Sequence, residues 1–178
     1  MQALARQLWV SRATLYRWVG TRERLLSEVL DDLALDLAGK AEAEAEGEGN
    51  ARVLDFVRRL MKAATRSEPI RAFVAREPEL ARRLILSERG PVHKRLVHGL
   101  TLVLADTRGP DPAPALVEFA DLVVQFGTAV GWATLAIGDS PRIERTVDLA
   151  RVLLEAPRKT DGAPAGGRVG PGLIGESR

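Results

Sequence analysis

Apolar residues recur every three or four positions along most of this chain, a spacing that is typical of amphipathic α-helices. One long helix is predicted from Thr21 to about Ala45, and a second from about Ala51 to Thr65. The first has an apolar stripe of Leu25, Leu26, Val29, Leu33 and Leu37. The second should face inward with Val53, Leu54, Val57, Leu60 and Met61. No segment shows the alternation of a strand, so the sequence predicts an all-α fold.

Proline, glycine and capping residues divide the rest of the chain into further helices. Ser67 is a predicted N-cap, and further helices are expected to begin near Pro78, Pro91, Ala115 and Pro141. The proline-rich segment 109–114 is predicted to be a loop. The last two helices should end near Ile137 and Glu155, and the Gly- and Pro-rich tail 157–178 is expected to be disordered.

The helix predicted over 115–137 is apolar nearly all round, which indicates burial on more than one side. Its uncharged stretch Leu122–Ile137 is short for a bilayer span and contains polar residues, so we expect no membrane insertion. Gly127 and Gly131 lie one turn apart and should allow another helix to approach closely. By itself, this pattern fits either the core of one monomer or an interface between two chains.

Charge is unevenly distributed near the N-terminus. Residues 1–30 contain five arginines and two glutamates, a net charge of +3, whereas residues 31–50 carry a net charge of −6. The Ala/Glu run 41–46 has no apolar face and is predicted to be a solvated helix end. A basic segment 1–30 followed by an acidic segment 31–50 suits a head that is presented to DNA.

Several chemistries are disfavoured by the residues present. The chain has no cysteine, which excludes disulfides and thiolate metal sites and fits a cytoplasmic protein. His93 and His98 are five residues apart and do not share a helical face as zinc ligands would. No glycine-rich phosphate loop and no Gly-x-Ser-x-Gly motif occurs. We therefore expect no enzyme activity, no cofactor and no metal.

The first 24 residues show the pattern of a helix-turn-helix, in which a short segment Gln2–Leu8 is followed by a second one over 11–18. Ser11 and Thr21 are suitable N-caps for the helices that follow them. An apolar seam is predicted between the two short helices, formed by Leu4, Ala5, Leu8, Val10, Leu15 and Trp18. The residues left facing outward are Arg12, Ala13, Thr14, Tyr16 and Arg17.

These outward residue types suit the major groove of DNA. An arginine can donate two hydrogen bonds to a guanine edge, and threonine or alanine can contact a thymine methyl group. Tyrosine and arginine can donate to phosphates, and the amides near Arg22 at the next helix start can hold another phosphate. The alternative is a solvated amphipathic helix pair with scattered arginines.

The ordered motif Leu4-Ala5-Arg6, Val10 to Arg17 and Gly20 to Leu26 closely resembles the DNA-binding end of TetR-family transcriptional regulators. The resemblance implies that Arg12, Ala13 and Thr14 contact bases, and that Tyr16, Arg17 and Arg22 contact the DNA backbone, with Ser11 and Thr21 as caps. It also implies a helix-turn-helix head (residues 1–30) and a helical-bundle ligand and dimerisation body (residues 31–156). Such a protein would be a repressor that binds a palindromic operator as a dimer through its last two helices.

Two departures from the family pattern bear on DNA binding. The family normally has another helix before this pair, whereas Met1 falls here at the start of the second helix. We therefore expect an upstream-extended chain to bind its operator better than the chain as given. Trp9 stands where the family turn usually has glycine, which carries a steric cost if that position needs a positive φ.

The resemblance implies that a small-molecule inducer binds in the body, in a mostly apolar pocket. Candidate pocket residues are Met61, Phe73, Arg89, His93, Phe119, Phe126 and Trp132. Segments 75–81 and 131–141 resemble an actinobacterial subgroup linked to degradation of lactone signals, which suggests a lactone or similar apolar inducer. The competing hypothesis is a helical dimer that binds a ligand or protein and has lost DNA binding.

Overall fold

The computed structural model describes residues 1–108, 114–138 and 142–155, and these residues form helices joined by short connections. The all-α prediction is confirmed. The predicted loop residues 109–113, the capping pair Ser140-Pro141 and the tail 157–178 lie outside the described residues. In chain order the helices are α1 Gln2–Gln7, α2 Arg12–Val19, α3 Arg22–Glu44, α4 Asn50–Arg66, α5 Glu68–Arg76, α6 Pro78–Ile85, α7 Pro91–Arg108, α8 Pro114–Ile137 and α9 Ile143–Glu155.

Helix α4 lies at the centre of the bundle and contacts α3, α7, α8 and α9. Its predicted inward residues are confirmed, because Val53, Leu54, Val57 and Met61 are buried and Leu60 packs against the same core. Phe56, which the apolar stripe did not include, is also fully buried. The core around α4 is therefore made almost entirely of aliphatic side chains.

The predicted apolar stripe of α3 is partly wrong. Val29 is exposed, and the buried positions are Leu30, Ala34, Ala38 and Ala41. The three alanines let α3 pack closely on α7, where a Cβ atom at Gly99 would lie 3.4 Å from the Cβ atom of Ala38. Close packing therefore favours the alanine row over the larger residues beside it. Burial of Ala41 also corrects the prediction that the 41–46 run has no buried face.

Helices α5 and α6 join α3 and α7 in a second, smaller core. Leu30, Ala34 and Val92 are its buried members, and Phe73, Leu84, Ile85 and Leu96 pack against them. Ser67 stands at the N-cap of α5 as predicted, but its side chain makes no capping hydrogen bond. Pro69 lies in the first turn of α5, where the backbone N–H that proline lacks would have no partner within the helix.

Among the described residues of one chain, only one side of α8 is buried, so the expected burial on more than one side is not accounted for by this chain's described core. The buried residues are Leu116, Phe119, Ala120, Val123 and Val124. Gly127 faces α9 and α4, because a Cβ atom there would lie 3.7 Å from the Thr146 methyl group and 3.9 Å from the Met61 sulfur. Residues Leu116–Ile137 are long and apolar enough to cross a membrane by length and composition alone, a weak indication because core helices also pass this test.

Candidate nucleic-acid interface and ligand cavity

The two capping predictions near the N-terminus are confirmed. The hydroxyl oxygen of Ser11 accepts a hydrogen bond from the backbone N–H of Thr14 at 3.0 Å. The hydroxyl oxygen of Thr21 accepts one from the backbone N–H of Arg24 at 3.1 Å. Both caps satisfy amides that have no partner inside their helix, and so they fix where α2 and α3 begin.

The turn between α1 and α2 closes despite Trp9. Its φ of 56° places Trp9 in the left-handed region, where a side chain other than that of glycine is strained. The Trp9 N–H donates to the Arg6 carbonyl at 3.1 Å, and the Val10 N–H donates to the Ala5 carbonyl at 3.0 Å. The indole itself is 95% exposed, so little packing offsets the strain.

The predicted seam between α1 and α2 is confirmed in part. Ala5 and Leu15 are buried, and Leu4 and Val10 are half-buried. Leu8 and Trp18 are exposed, so their assignment to the seam is wrong. Helix α1 has only six residues and ends before Leu8, so it can cover little of α2 beyond Leu15.

The outward face of α2 is open to solvent. Arg12, Ala13, Tyr16 and Arg17 are exposed there, while Thr14 is half-buried and shares a 2.8 Å hydrogen bond between its hydroxyl and that of Ser11. Within the part of the chain that the structure describes, neither Arg12 nor Arg17 has an acidic partner. This face therefore presents two free guanidinium groups beside a phenol and two small side chains.

Arg22, at the start of α3, is held by the bundle. Its two terminal nitrogens donate to the two carboxylate oxygens of Glu77, one of them at 2.5 Å, although the residues are far apart in sequence. This hydrogen bonding is the main cause of the raised pKa of Arg22, to which nearby Tyr16 also contributes, and of the lowered pKa of Glu77. Sequence inspection missed Glu77 because no local pattern connects residues 22 and 77.

A second ion pair runs beside the first. The Arg83 side chain, in the last turn of α6, donates to Glu23 at 3.4 Å, so two consecutive residues of α3 are bridged to the two ends of α6, Arg22 through the N-cap Glu77 and Glu23 through Arg83. Both pairs are partly exposed, and each is worth little by itself. Together they connect the helix-turn-helix end of α3 to α6.

An apolar cavity of about 120 Å³ lies inside the bundle and is lined by α3 to α8. Its lining includes Leu30, Ala34, Met61, Ile70, Ile85, Gly131 and Trp132. The hydroxyl groups of Thr65 and Thr128 donate to carbonyl oxygens of their own helices, each at 2.8 Å, and no charged side chain lines the space. The cavity therefore suits a small apolar molecule.

Two of the seven candidate pocket residues, Met61 and Trp132, line this cavity. Phe73 packs in the smaller core, Phe119 is buried in the main core, and Phe126 and Arg89 point to the surface. Sequence inspection missed most of the lining, since the same aliphatic residue types line the cavity and fill the core.

His93 belongs to a different part of the molecule. It is buried on α7, and its Nε2 atom lies 2.7 Å from a carboxylate oxygen of Asp121 on α8. His93 and His98 both face a shallow surface groove that shares no residue with the apolar cavity. Among the described residues, no group of three or more potential metal ligands occurs.

Comparison with protein families decides the identity of the chain at family level. Residues 48–155 match the model of the tetracyclin repressor-like C-terminal domain. This range contains helices α4 to α9. The chain belongs to the TetR family. TetR-family proteins are transcriptional regulators rather than enzymes, as the sequence predicted.

Two solved structures of TetR-family repressors share the fold. The R. erythropolis transcriptional repressor QsdR is 29% identical, with a TM-score of 0.78 over 88% of this chain and 85% of that one. The repressor AlkX from Dietzia sp. strain DQ12-45-1b, implicated in biodegradation of n-alkanes, is 22% identical, with a TM-score of 0.61 over 84% of this chain and 81% of that one. Comparison with curated proteins found no match.

Proposed function

We propose that this TetR-family regulator is a cytoplasmic, ligand-responsive repressor that binds a palindromic operator as a homodimer and is released by a small apolar inducer. The observation that carries the proposal is the exposed face of α2, where Arg12 and Arg17 lie beside Tyr16 and have no acidic partner among the described residues. Unpartnered arginines on a capped helix suit a polyanion, because binding need not first break an internal ion pair.

The division of roles follows the position of each side chain. Arg12, Ala13 and Thr14 lie in the first turn of α2, the part of a recognition helix that contacts base edges. Tyr16 and Arg17 lie one turn further and are placed to donate to phosphates. Ser11 and Thr21 act as caps, and Arg22 at the start of α3 adds a further phosphate contact.

The exposed face of α8 and α9 supports the dimer. Leu122, Phe126, Ile137 and Val152 are exposed apolar residues on these two helices, and Ala129 and Ala136 add small side chains to the same side of α8. Pairing this face with its copy forms a four-helix interface. Two-fold symmetry then sets two α2 helices about 34 Å apart, one turn of duplex DNA.

A titration of labelled duplex with the full chain tests DNA binding. We expect affinity to fall steeply as salt rises, because arginines displace counterions from phosphates. Arg12→Ala should lower the ratio of the affinity for the best sequence to the affinity for other sequences by roughly tenfold or more, since it removes a base contact. Arg66→Ala, which removes an exposed arginine at the end of α4, is the control and should bind like the parent.

The inducer site is tested by filling the cavity. A Cβ atom at Gly131 would meet nothing within 4 Å, so Gly131→Leu has room to project a side chain into this space. We expect a medium-chain γ-lactone to release the parent protein from duplex but not Gly131→Leu. Gly39→Leu places the same side chain on an exposed position of α3 and should keep the response. Equal responses of the two variants would contradict the site.

The second candidate function is a helical dimer that binds a ligand or protein without binding DNA. The pairing of Arg22 with Glu77 favours it, because that arginine is not free for a phosphate in this structure. Duplex binding that is absent, or that does not change with salt, would support this candidate over the repressor.

A further inference from the structure

The Arg22–Glu77 ion pair uses the same donors that a DNA phosphate would need. Both terminal nitrogens of the guanidinium bond the two oxygens of one carboxylate. Arginine binds carboxylate and phosphate with the same planar, two-pronged geometry. Arg22 therefore cannot hold a phosphate in that geometry until Glu77 releases it.

The position of Glu77 ties this contact to the rest of the molecule. Glu77 lies at the break between α5 and α6, and the neighbouring Glu23–Arg83 pair links the start of α3 to the last turn of α6. Below the two pairs, Leu30 and Ala34 of α3 face the apolar cavity together with Ile70 of α5 and Ile85 of α6. A molecule in the cavity thus touches both elements that the ion pairs connect.

We propose that Glu77 competes with operator phosphates for Arg22, so that the closed ion pair is an intramolecular brake on DNA binding. The inference rests on the proposed function, in which Arg22 holds a phosphate, and it assigns the regulation of that contact to a carboxylate on the ligand-binding part of the chain. Because the cavity lies between α3 and α6, a ligand that favours the closed arrangement lowers DNA affinity by its differential affinity for the two arrangements.

A set of single and double variants of the full chain separates this competition from a general charge effect. Glu77→Gln keeps the side-chain shape and removes the charge that holds Arg22. Glu79→Gln is the matched control, because it removes the same charge two residues away, where Glu79 is largely exposed and pairs with Arg82 of its own helix. Arg22→Gln removes the contested donor, and the double variant Arg22→Gln/Glu77→Gln tests whether the two residues act through each other.

Anisotropy titrations of a labelled duplex at several salt concentrations are the measurement. We expect Glu77→Gln to bind roughly two- to fivefold more tightly than Glu79→Gln, the range of a partly exposed ion pair. The slope of log affinity against log salt should steepen by about 0.9, the value of one added phosphate contact. Glu77→Asp, which keeps the charge but shortens the side chain, should give a smaller gain. In the Arg22→Gln background, Glu77→Gln should give no gain.

Contrary results would rule out either the competition for Arg22 alone or the repressor function as well. Equal affinities of Glu77→Gln and Glu79→Gln, or a gain that persists without Arg22, would overturn the competition and leave the repressor function intact. Failure of the parent chain to bind any duplex would overturn the repressor function and the brake with it. Matching helical circular dichroism spectra of all variants would assign the differences to the contact rather than to folding.

Discussion

At the scale of single residues, Trp9 is the clearest case of a side chain that its backbone conformation disfavours. Its backbone adopts a φ of 56° and its indole is almost fully exposed, so the strain has little compensation. We expect Trp9→Gly to raise the free energy of unfolding by about 1 kcal/mol, because glycine adopts this conformation without a steric penalty. Urea unfolding followed by circular dichroism measures the change.

Trp9→Ala separates backbone strain from loss of the indole. Alanine removes the same exposed ring but keeps a Cβ atom, so its stability should stay near that of the parent. If Trp9→Gly were no more stable than Trp9→Ala, the strain attributed to this turn would be refuted.

Local residue chemistry was predictable from the sequence, and long-range pairing was not. Ser11 and Thr21 were assigned as caps from their residue type and position, and both make the expected bonds. The partner of Arg22 could not be predicted, because Glu77 reaches it only through the packing of α5 and α6 against α3. A capping bond forms between residues three positions apart, so it can be predicted locally. An ion pair between distant residues depends on how the whole chain between them folds.

At the scale of helices, periodicity predicted where the elements lie better than which face is buried. The buried stripe of α4 was predicted correctly, because its apolar residues are large and regularly spaced. Helix α3 has apolar residues on several sides, and its alanines Ala34, Ala38 and Ala41 are buried because close packing with α7 favours small side chains. Interhelical distance cannot be inferred from one helix alone.

Two neighbouring positions on α3 should respond to substitution in opposite directions. Ala38 is buried against α7, so Ala38→Leu should lower the free energy of unfolding by about 1–3 kcal/mol through overpacking. Gly39 is exposed with open space around it, so Gly39→Ala should raise that energy by about 1 kcal/mol through helix propensity. Thermal and urea unfolding of both variants measure the signs. A stabilising Ala38→Leu would contradict the close α3–α7 contact.

At the scale of the whole molecule, the apolar character of α8 is greater than its burial among the described residues of one chain requires. The sequence predicted burial on several sides, but a single chain leaves Leu122, Phe126 and Ile137 exposed. The fold class followed from periodicity, since one helix type accounts for every described element. The proposed interface could not be separated from the core by sequence, because both consist of the same aliphatic residues.

A charge placed on this face should separate the proposed dimer. Leu122 and Leu35 are exposed to nearly the same extent, 50% and 49%, but Leu35 lies on α3, away from the α8–α9 face. We expect Leu122→Arg to sediment as a monomer and to lose duplex affinity, because the two α2 helices are no longer joined. Leu35→Arg should remain a dimer. Equal masses of the two variants in analytical ultracentrifugation would argue against this interface.

In the proposed repressor, α2 recognises base sequence in duplex DNA as one half of a symmetric pair. Selection of bound duplexes from a randomised library by the full chain, with Arg12→Ala in parallel, tests it most directly. We expect the parent to enrich a two-fold-symmetric sequence with half-sites about 10 base pairs apart, and Arg12→Ala to relax the preference within each half-site. Recovery of no common sequence, or of the same sequence with equal preference by both proteins, would contradict it.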